Sequence, residues 1–310
     1  MAYRLASIRG FEVLLNLDDR ARSSGLWQYV LKPAVHKLTS AKTVVGAAAA
    51  SLAARREHTA AAIAATPITS ITPEQQRILD KIKGIEWYHT IDVGHGIKTP
   101  GRFDHYPLLQ DYRLPASLKG QRAIDVATNN GFWAFQMEQR GAQEVVAIDV
   151  DCHGDLDLPP RQRAGSTPEE LKQPRGTGFF VAQELLKSKV QRRPINVYDL
   201  SPSNVGQFDF VFVGDLLLHL LNPVKAAAAI SSITSGVAHV VECYSPFLPP
   251  MTMHYQGADQ ATWWGVSLGA LEKILYDGGF NKVELIHKFK APSQPGQPAW
   301  MWRAVFRCTH

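Results

Sequence analysis

The side chains that could do chemistry sit at the ends of short apolar runs. Ala123–Ala127 leads into Thr128-Asn129-Asn130-Gly131, Val145–Ile148 ends on Asp149, Ile195–Tyr198 is followed by Asp199, and Phe208–Val213 ends on Gly214-Asp215. Read as strands of a parallel sheet, these runs carry four polar or small termini to the edge where open α/β sheets bind ligands. An acid after the second strand, Asp149, can accept from both hydroxyls of a ribose, and a polar residue after the third, Asp199, can accept from an adenine amino group. Asp125, beside the first turn, can orient that turn or receive a ligand ammonium. The turn itself, Asp125-x-Ala127-x-Asn129-x-Gly131, keeps only the last glycine of a phosphate-type fingerprint. Asn129 and Asn130 still adopt positive φ more readily than most residues, so a close backbone approach remains feasible.

The elements that must position these groups follow from pattern and punctuation. Strands and helices alternate from Gly120 onward, with helices at Phe132–Gln139, Gly176–Val190, Pro223–Ile233 and Leu268–Gly278 and a fifth strand at Ala238–Tyr244. This alternation predicts an α/β fold, a doubly wound Rossmann-like sheet of seven strands. The last two strands, Lys282–His287 and Met301–Arg307, are separated by a Pro/Gln-rich turn and read as a hairpin at one sheet edge. The polar, proline-rich segment Asp151–Arg175 is longer than an ordinary connection, which marks it as a binding loop or lid. Residues 1–75, rich in Ala, Arg and Leu, read as a helical N-terminal extension serving as a dimerisation element or a lid, ahead of a catalytic domain at 76–310. Between them Thr72-Pro73-Glu74 is a helix start: a cap residue, proline in the first turn, then an acid.

Composition narrows the class. The chain has 310 residues, 45% hydrophobic and 20% charged, the balance of a globular protein rather than a disordered one. The formal charge of +5 is mild for this length and does not by itself demand a nucleic-acid partner. Cys152, Cys243 and Cys308 are widely spaced and form neither a disulfide framework nor a zinc site, which suits a reducing cytoplasm. No apolar run approaches the roughly 18 residues of a membrane span. The histidines show no HExxH or paired spacing, so no metal is expected.

The stretch AIDVATNNGFWAFQMEQRGAQEVVAIDV resembles the first two motifs of class I S-adenosylmethionine-dependent methyltransferases. Three further segments are similar to the tRNA wobble-uridine (methoxyuridine and carboxymethoxyuridine) methyltransferase-like family. These are Ile85–His89 with its continuation IDVGHGIKTPGRFDH, GDLLLHLLNPVKAA at 214–228, and TWWGVSLGALEKILYDGGF at 262–280. The resemblance spans roughly Ile85–Arg307 and leaves residues 1–75 aside. It implies S-adenosylmethionine as cofactor, with Ala127, Thr128, Asn129 and Gly131 lining its methionine part. Asp149 would hold the ribose and Asp199 the adenine side, while Gly214 and Asp215 would face the methyl group. Trp87, Tyr88 and His89 would cover the cofactor. Members that transfer a carboxymethyl group carry a tyrosine before the histidine of the post-strand-four segment. Here Leu218 stands there, and Leu220-Leu221 follow His219. Apolar side chains cannot offset the burial of a carboxylate, so plain methyl transfer is expected.

Methyl transfer needs an aligned acceptor and, for a hydroxyl, a base, a role suited to histidine. His89, His219 and His254 are candidates, as is Asp215. Tyr255, Trp263 and Trp264, with His254, could line a flat apolar acceptor pocket. The resulting expectation is a cytoplasmic methyltransferase acting on a small-molecule acceptor. The alternatives are a tRNA-modifying enzyme, using the cations Arg161, Arg163, Lys172, Arg175, Lys187, Lys189, Arg192 and Arg193, and a non-catalytic binding module on the same fold.

Overall fold

Three apolar runs, each entirely or almost entirely buried, dictate the centre of the molecule. β3 (Arg122–Val126), β4 (Glu144–Asp149) and β6 (Phe208–Gly214) show near-continuous burial rather than alternation, the signature of parallel strands covered on both faces. The computed structural model describes residues 2–8, 11–16, 71–257, 262–292 and 300–310. Contacts divide the chain into two units, Met1–Ile71 and Thr72–His310.

In the first unit, β1 (Ala2–Ile8) and β2 (Phe11–Asn16) pair antiparallel. The expectation of a helical extension therefore fails for its first segment. β-Branched and aromatic residues (Tyr3, Ile8, Phe11, Val13) in these two segments favour strand over helix. The helical spacing expected between Leu26 and Val35 lies outside the described residues.

The second unit opens with α1 (Pro73–Ile82), capped by Thr72 and Gln75 in a reciprocal capping box with proline in the first turn, as its sequence predicts. The remaining helices are α2 (Phe132–Gln139), the short α3 (Pro160–Gly165) and α4 (Pro168–Leu171), α5 (Thr177–Leu186), α6 (Pro202–Val205), α7 (Pro223–Ser232) and α8 (Leu268–Asp277). The other strands are β5 (Gln191–Pro194), β7 (Thr234–Tyr244), β8 (Met253–Tyr255), β9 (Trp264–Val266), β10 (Lys282–Pro292) and β11 (Trp300–Thr309). The seven-stranded sheet runs β10-β11-β7-β6-β3-β4-β5, with β11 antiparallel to both neighbours. β8 and β9 form a separate two-stranded ribbon. One face of the sheet is covered by α7 and α8 through Ala226, Ile230, Leu271 and Ile274. The other is covered by α1, α2 and α5 through Ile78, Phe132, Phe135 and Phe179.

One predicted strand is displaced. Ile195–Tyr198 is not a strand; the chain pairs earlier, at Gln191–Pro194, with Ile148 opposite Arg193. The Asn196 side chain then accepts from the Tyr198 N–H (3.0 Å) and winds residues 197–199 into a 3₁₀ turn. An edge strand is half-covered and need not be apolar, so the apolar run nearby is a misleading marker.

The topology places β3 and β6 side by side, so their carboxyl ends flank one crevice. The turn from β3 into α2 is left-handed at Ala127 (φ 64°), Asn129 (φ 50°) and Gly131 (φ 91°). Gly131 is the tightest of the three. A Cβ there would lie 2.7 Å from both the Phe135 and Phe179 rings. Gly131→Ala combines a disfavoured φ with overpacking, and should destabilise the protein by about 2–4 kcal/mol, measured as a fall in the urea-unfolding midpoint.

Candidate active site

At the carboxyl ends of β3, β4 and β6 lies a cavity of about 420 Å³, at the small end of the range for small-molecule sites. The residues expected at this edge divide into two groups. Tyr88, His89, Asp125, Ala127, Asn129, Asp149, Gly214, Asp215, His219 and Trp263 line the cavity. Trp87, Thr128, Gly131, Asp199, His254, Tyr255 and Trp264 do not.

The second group has identifiable jobs elsewhere. Trp87 is core, its indole N–H donating to the Ile82 carbonyl (3.0 Å). Thr128 is fully buried, and its hydroxyl donates to Asp125 Oδ2 (2.7 Å). Asp199 is exposed in the 3₁₀ turn, and the residues directly after β5, Ile195, Asn196 and Val197, line the cavity instead. His254 and Tyr255 are exposed on the β8–β9 ribbon. Trp264 packs on the core and donates from its indole to the Leu220 carbonyl (3.0 Å). Leu218 is also core and does not line the cavity. Its apolar character therefore gives no ground for choosing between methyl and carboxymethyl donors.

Asp149 organises the adjoining turn. Its Oδ2 accepts from the Asn129 N–H (2.8 Å) and its Oδ1 from the Val150 N–H (2.8 Å), while the Arg175 Nε stands 3.7 Å from Oδ1. One N–H on each oxygen leaves a further lone pair on each for a ligand hydroxyl. Asp125 sits under the same turn, taking the Thr128 hydroxyl and the Ala134 N–H (3.1 Å) on Oδ2. Complete burial outweighs those hydrogen bonds and pushes its carboxyl up to about 7. Asn130 ties the turn to the segment that precedes β3: its Oδ1 accepts from the Tyr88 N–H (2.6 Å) and the His89 N–H (3.3 Å).

Asp215, at the end of β6, is left-handed (φ 48°). Of seven non-glycine residues with positive φ among the described residues, three line the cavity: Ala127, Asn129 and Asp215. Strain of this kind concentrates at working sites. Both Asp215 oxygens are held, Oδ2 by Arg303 Nε (2.8 Å) and Oδ1 by the Cys243 thiol (3.0 Å). Arg303 is 2% exposed, projecting from β11 opposite Cys243. Beside it the fully buried Glu242 accepts from the Leu216 and Leu217 N–H groups on Oε1 (2.7 and 2.6 Å), and burial pushes its carboxyl up to about 8. His89 is also buried, and burial lowers its imidazole to about 3, so the ring is neutral at physiological pH. His219 is half-buried on the 3₁₀ turn Leu217–His219.

Three contributors are not predictable from the strand ends. Arg303 has one sequence signal, a charge inside the apolar run of a strand. The polar insert supplies Leu156, Asp157, Leu158 and Arg175 to the cavity, in keeping with its length and composition. Asp157 is fixed by accepting from the Tyr198 hydroxyl (2.7 Å) and the Leu221 N–H (2.6 Å), and its carbonyl accepts from the Trp263 indole (2.7 Å). Arg102 reaches the cavity from an exposed position. Among the described residues, no group of three or more His, Cys, Asp or Glu side chains could hold a metal ion, and no helix is long and apolar enough to cross a membrane.

No family model matches this sequence. No curated protein matches it significantly. Solved structures do resemble its fold. The N-terminal domain of EvdMO1, crystallised in the presence of SAH (S-adenosylhomocysteine) and D-fucose, superposes with a TM-score of 0.52 at 15% identity, over 76% of this chain and 95% of that one. The same domain with SAH bound gives 0.51 at 15% identity, with the same coverage. The likeness is one of fold: a Rossmann-like seven-stranded mixed sheet with flanking helices.

The raised carboxyls have a thermodynamic consequence. A carboxyl lifted on folding stabilises the protein in its protonated form; that contribution is complete below the unfolded value near 4 and is lost as pH rises through the folded value. The lowered His89 acts in the opposite sense, costing stability as pH falls from about 6.5 towards 3, and is silent above that range. Between pH 6.5 and 8.5 the urea-unfolding midpoint should therefore fall in the wild type as Glu242 is forced to ionise. Glu242→Gln should flatten that slope.

Proposed function

We propose that this chain is an S-adenosylmethionine-dependent methyltransferase acting on a small-molecule acceptor. The observation that carries the reading is the turn Ala127–Gly131, left-handed at three alternate positions and hydrogen-bonded through Asn129 to Asp149 on the cavity wall. Two of those positions hold non-glycine residues, a strained arrangement that a strand–helix connection without a ligand does not need.

The donors and acceptors present fit the cofactor. The free lone pairs of Asp149 suit two ribose hydroxyls. Ile148, Ile195, Val197 and Leu156 offer apolar surface for an adenine ring, with Asn196 at its edge in the role first expected of Asp199. Asp125, Ala127, Asn129 and Gly214 border the space for the methionine part. When bound, the cofactor supplies an electrophilic methyl group on a sulfonium. The protein's own work is to orient the acceptor, exclude water and receive a proton. The SAH found in the EvdMO1 domain supports the same choice.

A small acceptor is favoured over tRNA by the size of the cavity and by the fate of the cations. Arg163 donates to the Gly154 and Leu156 carbonyls, Arg192 pairs with Asp151 (2.6 Å) with its side chain 2% exposed, and Arg175 faces Asp149. Guanidinium groups spent on internal ties do not build a phosphate-binding groove.

Titration calorimetry with SAH tests the reading. Wild type should bind, and Asp149→Ala should weaken binding by about 1–3 kcal/mol, the loss of a charged hydrogen-bond partner. Wild type that does not bind SAH at millimolar concentration would leave a non-catalytic module as the better description.

A further inference from the structure

The walls of the cavity not needed for the cofactor have a chemistry of their own. Tyr88 and His89 approach from the segment before β3, with ring centroids 4.9 Å apart and edge-on, and Asp215 approaches from β6. The His89 Nδ1 is buried without a hydrogen-bond partner among the described residues, and the Tyr88 side chain lines the cavity beside it. His89 is only 4% exposed, and a buried polar atom without a partner is costly, which marks this ring as a group kept for more than packing. Asp215 is held rigid, and its charge is balanced by the buried Arg303.

We propose that Tyr88, His89 and Asp215 form the acceptor subsite and that it takes an uncharged hydroxyl of a small molecule. The inference rests on the methyltransferase reading and adds to it the class of acceptor. A hydroxyl both accepts and donates. It can accept from the Tyr88 phenol and donate to Asp215 or to the neutral His89 ring. A carboxylate or phosphate would lie against the Asp215 carboxylate and be repelled by it. An ammonium would find that carboxylate already paired with Arg303. Arg102 adds a cation only at an exposed position, where water screens it. Tyr88 thus belongs to the acceptor rather than to a cover over the cofactor. In the transfer, the acceptor oxygen forms a bond to the methyl carbon and the carbon–sulfur bond breaks with its electron pair going to sulfur. The hydroxyl proton leaves to Asp215, the anionic member of the three. Arg303 is a positioning residue, since it reaches the acceptor only through Asp215.

Saturation-transfer NMR on the SAH-saturated protein tests this with three matched probes: benzyl alcohol, benzylammonium and benzoate. Benzyl alcohol should give the largest transfer by a wide margin. Tyr88→Phe, which removes one hydroxyl and leaves the fold intact by circular dichroism, should reduce it about fivefold, as should His89→Gln, while SAH affinity stays within about twofold. The proposal is overturned if either charged probe equals the alcohol, if none of the three responds, or if Tyr88→Phe weakens SAH as much as it weakens the alcohol. If wild type fails to bind SAH at all, the methyltransferase reading falls and takes this proposal with it.

Discussion

The hydrogen bond from the Asn129 N–H to the Asp149 carboxylate is the constraint on which the site depends. It crosses from the end of β3 to the end of β4, and it does two things at once. It stabilises a left-handed residue that lacks the freedom of glycine, and it fixes a carboxylate at the cavity wall with lone pairs still unused. Around it the turn is over-determined: Thr128 N–H donates to the Ile148 carbonyl (2.9 Å), and the Thr128 hydroxyl and Ala134 N–H converge on Asp125. Strain at Ala127 and Asn129 persists because so many partners hold the turn from outside.

A second constraint operates at the end of β6. The left-handed Asp215 is reached by Cys243 from β7 and Arg303 from β11, so three strands of the sheet meet on one carboxylate. The reversed strand β11 makes this possible, since only its insertion beside β7 brings Arg303 opposite Cys243. A buried ion pair is weak evidence for stability. Its consequence here is orientation and charge balance: a carboxylate fixed in place whose charge is offset from below. Asn130 ties the Tyr88–His89 backbone to the turn after β3.

Much of this was legible in the chain itself. The central strands read clearly because parallel strands covered on both faces must be apolar, and the Thr72 cap and the Gly131 turn read from residue chemistry. The errors also have physical causes. β5 is an edge strand with polar residues, so the nearby apolar run at Ile195 drew the assignment past it and carried Asp199 away from the cavity with it. The paired strands β1 and β2 were hidden by a composition that, averaged over 75 residues, is helix-forming. The aromatic cluster after β7 is divided by the fold: Trp263 lines the cavity, Trp264 packs on the core, and Tyr255 is exposed on the ribbon, since neighbouring residues of an extended chain face opposite ways.

The sequence by itself determined the sheet, its order of strands and helices, and the strand ends that could meet a ligand, because burial and turn chemistry are local and periodic. Only the tertiary structure decided which of those strand-end residues face one cavity, that Leu218 faces the core instead, and that Arg303 stands beneath Asp215. Those outcomes depend on which strands become neighbours and on the half-turn that separates one face of a short helix from the other. Residues 88 and 215, or 215 and 303, have no periodic relation along the chain; their proximity is a property of the assembled sheet.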